Sequence, residues 1–137
     1  MIGRRYLLPH VVAAALERLF EESVGQVAVI ERSRYAKLHR GMAATTRPNR
    51  ILLTISGAEF ASNPELLLHE YYHVLCQWRT GYLTRWRYMV ESIRCGYRQN
   101  RYELEAREFA AANLDQYRGF LRELAGGDGF REVPREI

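Results

Sequence analysis

Apolar positions along the chain fall into two different periods. Between residues 8 and 19, Leu8, Val12, Ala15, Leu16 and Leu19 recur at helical spacing and predict an amphipathic helix. "GQVAVIERS" (25–33) places β-branched residues after a glycine, and "NRILLTISG" (49–57) does the same between Pro48 and Gly57; both predict strands. Helical periods return with "SNPELLLHEYYHVLCQWRTG", where Asn63 is the expected N-cap, Pro64 occupies the first helical position and Gly81 closes the helix. "TRWRYMVESIRCG" (84–96) predicts a helix ending at Gly96, and residues 100–127 a long one, capped by Asn100 and closed by two glycines, with a peripheral tail from Asp128 to Ile137. Two strands and four helices give a small α+β domain, mostly helical, with a little sheet beside the central helix.

At 137 residues the chain suits one domain, 1–137, with a core of its own. The net charge of +4 comes from arginine, since Lys37 is the sole lysine, and the arginines are scattered from Arg4 to Arg135. Scattered charge describes a solvated surface better than a nucleic-acid footprint. Cys76 and Cys95 match no CxxC pattern and are expected to be reduced thiols. The opening "MIGRRYLLPHVVAAALERLF" imitates a signal peptide, but Pro9, His10, Glu17 and Arg18 interrupt it and the helical period fits better. No stretch reaches the ~20 apolar residues of a membrane span. These features place the protein in the cytoplasm, with export through a secretion system as the alternative.

The chemistry sits in the central helix. His69, Glu70 and His73 spell H-E-x-x-H in the middle of an apolar stretch. Positions four apart lie above one another, so both imidazoles face a common point, as two ligands of one zinc ion must. Glu70, about 100° around the helix, falls beside that point, where a carboxylate can accept a proton from a water acidified by the metal. A catalytic zinc needs a third protein ligand. "YELEAREF" offers Glu103, Glu105 and Glu108. The expected core stripe of the last helix runs through Ala106, Ala110, Tyr117, Leu121 and Leu124; Glu103 lies near it, Glu105 off it and Glu108 opposite. Glu103 is therefore the expected third ligand and Glu105 the second choice. Asn113 also falls on the stripe and needs a partner, expected to be backbone. Bland alternatives stand beside these readings: histidines satisfied by hydrogen bonds alone, Glu103 as the acidic half of a capping box with Asn100, or Cys76 as third ligand on the same helix.

His69-Glu70-x-x-His73 followed some thirty positions later by "ELEAREFA" resembles the gluzincin-type zinc metallopeptidases, whose downstream Glu-x-x-x-Asp/Asn element supplies the third ligand. Two branches are most similar: the short HExxH domains of bacterial polymorphic toxins and contractile injection systems, and the ImmA/IrrE-type regulatory peptidases. The resemblance covers roughly residues 50–113. It implies a zincin-like fold, one Zn2+ per chain on His69, His73 and Glu103, Glu70 as general base, a protein or peptide substrate, and a regulatory or toxin-system partner. Arg107 stands where these families carry Asp or Asn behind a ligating histidine. Its expected role is to stand in that outer position or to pair with Glu103 one turn earlier, and it keeps open a catalytically degenerate zinc module with a regulatory or interaction role. The resemblance further implies that the strand Ile51, Leu52, Leu53, Thr54 and Ile55 borders the cleft and accepts substrate by strand addition. Tyr35, His39, Tyr82 and Tyr97 are chemically able to steady a developing oxyanion. The remaining reading is a metal-free helical domain that binds a partner.

Overall fold

The computed structural model describes residues 3–33 and 43–132, the side chains of 127–132 excepted. Tyr35 and His39 lie outside the described residues, as does 133–137 of the expected tail. The order is β1 (Arg4–Tyr6), α1 (His10–Phe20), β2 (Ala28–Glu31), β3 (Ala44–Arg47), β4 (Arg50–Leu53), α2 (Gly57–Ala61), α3 (Pro64–Tyr72), a π-helical turn (His73–Trp78), α4 (Arg85–Gln99) and α5 (Arg101–Glu132). The protein is α+β, mostly helix with a small mixed sheet.

Among the described residues the sheet has four strands, in the order β1-β2-β4-β3, where the sequence predicts two. β2 and β4 run parallel at its centre, with Val29 opposite Ile51, and β1 and β3 flank them antiparallel. Both outer strands are short and lack a clean alternation, so only their neighbours make them strands. β4 is paired on both edges: Ile51 faces Val29 on one side and Thr46 on the other. Thr54 donates its N–H to the Ala43 carbonyl, and the Ile55 carbonyl accepts from Arg32. The stretch 51–55 thus has no free edge for a substrate strand, which corrects the expectation placed on it. The edge beside α3 belongs to β3. Because the Ala43 carbonyl turns to Thr54, the alternation of an antiparallel pair turns the backbone groups of Ala44 and Thr46 outward.

The helices follow their periodicity. Asn63 accepts from the Leu66 N–H, and Pro64 opens α3 as expected. Val29, Ile51 and Leu53 meet Leu16, Leu67, Leu68, Tyr71 and Val74 in one apolar cluster, closed from the far side by Ala110 and Tyr117 of α5. Aromatic stacking of Phe109 on Phe20 and on Tyr72 ties α5 to α1 and α3, with centroids 5.1 and 4.7 Å apart. Gly57 begins α2 directly under the Tyr6 ring, where a Cβ would lie 2.0 Å from a ring carbon. Its N–H donates to Glu31, which also holds Arg4 and whose pKa is lowered by that backbone bond and then by the arginine.

Two helix ends differ from expectation. α5 runs through Gly126 and Gly127 to Glu132, because a glycine ends a helix by adopting positive φ, and among the described glycines only Gly81 and Gly96 do so. At Gly96 (φ 80°, ψ 166°) the helical path of α4 breaks, and the last turn is re-aimed before Asn100 caps α5. Cys76 and Cys95 are free thiols. Among the described residues no helix is long and apolar enough to cross a membrane.

Candidate metal centre

α3 crosses α5 at the level of Glu103, and there three side chains meet. His69 Nε2 lies 2.9 Å from Glu103 Oε1, His73 Nε2 lies 3.2 Å from the same oxygen, and the two Nε2 atoms are 3.2 Å apart. Zinc bonds of roughly 2.0–2.2 Å at tetrahedral angles separate neighbouring ligand atoms by about 3.3–3.5 Å. The observed triangle is that size to within a few tenths of an ångström, so these residues fit a zinc ion. His73 and Glu103 are buried and His69 nearly so. Their mutual approach follows from α-helical spacing within α3 and from the phase of α5, which turns Glu103 inward with Ala106 and Ala110 and leaves Glu108 exposed.

Electrostatics bind the three together. Burial pushes the Glu103 carboxyl up, but hydrogen bonds from His69 and His73 and then their charges hold it well below the usual carboxylate range. Burial opposes charge on His73 as well, yet the Glu103 bond and charge, with Glu70 behind them, raise its pKa. Glu70, 7 % exposed, has its Oε2 4.0 Å from His69 Nε2. Burial raises its pKa most, against the lowering effect of His73 and His69. A buried carboxylate made more basic, beside a cluster of metal-ligand type, suits proton acceptance.

Several groups hold the triangle in place, and the sequence reading missed the main ones. His73 Nδ1 lies 2.6 Å from Gln77 Oε1. With Nδ1–H donating to that oxygen, loss of the Nε2 proton shared with Glu103 would leave Nε2 as the lone pair offered to a metal. Gln77, fully buried, donates in turn to the Tyr102 carbonyl (3.0 Å) and to Glu105 Oε1 (3.2 Å). The π-helical turn carries Gln77 to this position, and Trp78 at its end donates to Thr46 Oγ1 of β3 (3.0 Å). Tyr88 donates to Glu103 Oε2 (2.8 Å), and Tyr97 reaches Oε1 (3.4 Å) across the break at Gly96. Gln77 sits four residues after His73, a spacing that could have been read; nothing in the sequence points to Tyr88.

The other candidates separate cleanly. Glu105 accepts from Gln77 and from Tyr82 (2.8 Å), so it supports the site from outside the triangle. That bond also turns Tyr82 away from the metal position, leaving Tyr97 as the described oxyanion candidate that reaches the cluster. Arg107 is exposed and donates to the Arg98 carbonyl; it forms no pair with Glu103 and does not stand behind a histidine. Asn100 caps α5 through the Tyr102 N–H (2.8 Å) without help from Glu103, whose side chain is spent on the cluster. Asn113 bonds the Phe109 carbonyl, backbone as expected. Cys76 lies outside the cluster.

Hollows open on both sides of Glu70. One, about 380 Å3, runs under β3 between Trp78, Leu83, Met89 and Tyr88. The other, about 410 Å3, lies over His69 and Leu66 toward Arg107. Ala44, Glu70 and Tyr97 line both, so the two hollows adjoin at the cluster, the first lined by His73 and Glu103 and the second by His69. The buried Thr45 hydroxyl has no hydrogen-bond partner among the described residues.

Comparison of the chain with protein-family models, with curated proteins and with solved structures returns no match.

Proposed function

We propose that the protein is a zinc-dependent endopeptidase of gluzincin type, with His69, His73 and Glu103 as ligands of one Zn2+. The observation that carries this reading is the ligand-sized triangle of Nε2, Nε2 and Oε1 atoms with Glu70 beside it, open to a groove on both sides. Zinc held there would supply an acidified water and a polarised carbonyl. Glu70 would take the proton of the attacking water and pass it to the leaving amine, a task its raised pKa favours. Tyr97, within reach of Glu103, is the described side chain best placed to steady charge on the carbonyl oxygen. Gln77 would keep His73 in the Nδ1–H tautomer, and Tyr88 would hold the distal oxygen of Glu103.

A groove passing the site on both sides suits internal cleavage of an extended chain. The outward backbone groups of Ala44 and the N–H of Thr46, whose carbonyl accepts from Arg47 (2.8 Å), give such a chain an edge to pair with, in place of 51–55. The alternative, a zinc module without turnover, draws its support from Arg107; Gln77 gives His73 an outer partner, whereas Arg107 turns to the Arg98 carbonyl and gives none to His69.

Incubating the zinc-loaded protein with a proteome-derived peptide pool and sequencing the new termini tests the proposal. New termini that vanish in Glu70→Gln, while zinc content stays the same, are expected. A zinc-loaded wild type that yields no new termini would overturn the peptidase reading.

A further inference from the structure

α4 is turned inside out. Its inward side carries Tyr88, Glu91, Ser92 and Asn100-bonded backbone, with Glu91 buried against Arg101 and Arg94. Its outward side carries Trp86 (71 % exposed), Met89 (52 %), Val90 (37 %) and Ile93 (78 %). At about 100° per residue these four fall within roughly a 100° arc, a continuous apolar stripe of the kind that ordinarily faces a core. Arginines border it: Arg85 on one side, Arg87 and Arg94 on the other, with Arg98 following beyond the Gly96 break. Among the described residues Arg85 and Arg98 form no ion pair, and Glu91, the one acid of α4, is already engaged.

The stripe does not end on the surface. Met89 belongs both to it and to the lining of the hollow beside Glu70, as Arg85 does on its border. Beyond the Gly96 break, Tyr97, 43 % exposed, continues from the helix to Glu103. A ligand lying along α4 would therefore reach the triangle without leaving the protein.

We infer that the outer face of α4 is a docking surface for an acidic, apolar-rich segment of a polypeptide substrate, which it feeds into the groove at His69, His73 and Glu103. The inference rests on the peptidase reading for the word substrate; docking itself needs no turnover. Charge complementarity selects the occupant. A second copy of the chain, paired about a two-fold axis, would bring the arginine borders of both stripes together. Segment 34–42 carries Arg34, Lys37 and Arg40 and no acid, so its charge repels the same border. A bilayer would meet the stripe but could not follow it into the groove.

Random 12-residue peptides displayed on phage are selected on zinc-loaded Glu70→Gln protein, which holds a substrate without cleaving it. Selected peptides rich in Asp and Glu together with Leu, Ile or aromatic residues are expected. Synthesised, they should bind at least tenfold more weakly to Ile93→Glu and to the double variant Arg85→Glu, Arg98→Glu, all with unchanged melting temperature and zinc content. Affinity that ignores both variants, or selected peptides without an acidic bias, would overturn the inference. So would a chain that sediments as a dimer dissociated by Ile93→Glu, or one that binds phosphatidylglycerol vesicles through Ile93 and none of the peptides. Zinc measured on the same samples separates the two claims: docking without zinc contradicts the peptidase reading alone, and zinc without docking contradicts this inference alone.

Discussion

The inner face of α3 and the outer face of α4 break the usual rule of burial in opposite directions. Around His69, His73 and Glu103 the interior is polar: His69 Nε2, both ring nitrogens of His73 and both carboxylate oxygens of Glu103 have partners within 3.4 Å. On α4 the surface is apolar, with Trp86 and Ile93 among the most exposed large apolar side chains of the described residues. Burying ionisable groups costs stability unless they are paired, and exposing large apolar ones forgoes the contribution of burying them. Both departures cost the fold something; the proposed cation would account for the first and the proposed polypeptide for the second. Apolar helix elsewhere obeys the rule, as in α1, whose Ala15 and Leu16 are fully buried.

Replacing a member of the interior cluster should have the largest effect. Glu103→Gln is expected to lower zinc affinity by more than about a hundredfold in competition titrations with a chelator, exceeding the roughly 10–100-fold cost of losing an outer partner. Gln77→Leu should fall in that 10–100-fold range and still bind one zinc at saturation, while Arg107→Ala leaves affinity unchanged. Equal effects of the Gln77 and Arg107 changes would show that the histidine is oriented by something else.

Acidity should sharpen the contrast. A ligating histidine must be neutral, and the raised pKa of His73 in the metal-free chain means that protons compete for it from above its ordinary 6.5. Zinc affinity is therefore expected to fall as pH drops through that raised value, by up to about tenfold per unit for one competing proton. In the metal-free chain the same shift acts the other way: the charged ring contributes stability below the unfolded pKa, and this is lost as pH rises through the folded one. A melting temperature of chelated protein that climbed with pH between 6.5 and 8 would contradict the pairing of His73 with Glu103.

The outer face should respond least in stability. Ile93→Ser removes no buried contact, so urea unfolding should change by no more than about 0.5 kcal/mol. Leu67→Ala in the core is expected to cost about 2–5 kcal/mol. A large loss from Ile93→Ser would mean that the stripe is already covered by the chain itself.

The difference between these two regions also explains what could be read from sequence. His69, Glu70 and His73 share a helix, and Glu103 could be chosen over Glu105 by phase alone, because local periodicity fixes which way a helical side chain turns. Asn63, Pro64, Asn100 and the break at Gly96 were legible for the same reason. Gln77 was harder, since a π-helical turn alters the phase after His73. Tyr88 and the edge position of β3 depend on how elements meet, and no local pattern carries that information: Ala44–Arg47 is a strand because Arg50–Leu53 lies beside it. Residues 51–55 read as the better strand and are, for that reason, enclosed by the sheet on both edges, which leaves β3 as the edge to which substrate pairing is assigned in the proposal. The outward stripe of α4 has an ordinary amphipathic pattern, which says that one face is apolar but not which way it points.

Zinc per chain, measured by elemental mass spectrometry on tag-free protein purified without added metal, tests the central claim most directly. Wild type and Glu105→Gln should each carry close to one zinc, and Glu103→Gln almost none. No zinc in wild type after reconstitution, or equal zinc in all three, would contradict the assignment of His69, His73 and Glu103 as a metal centre.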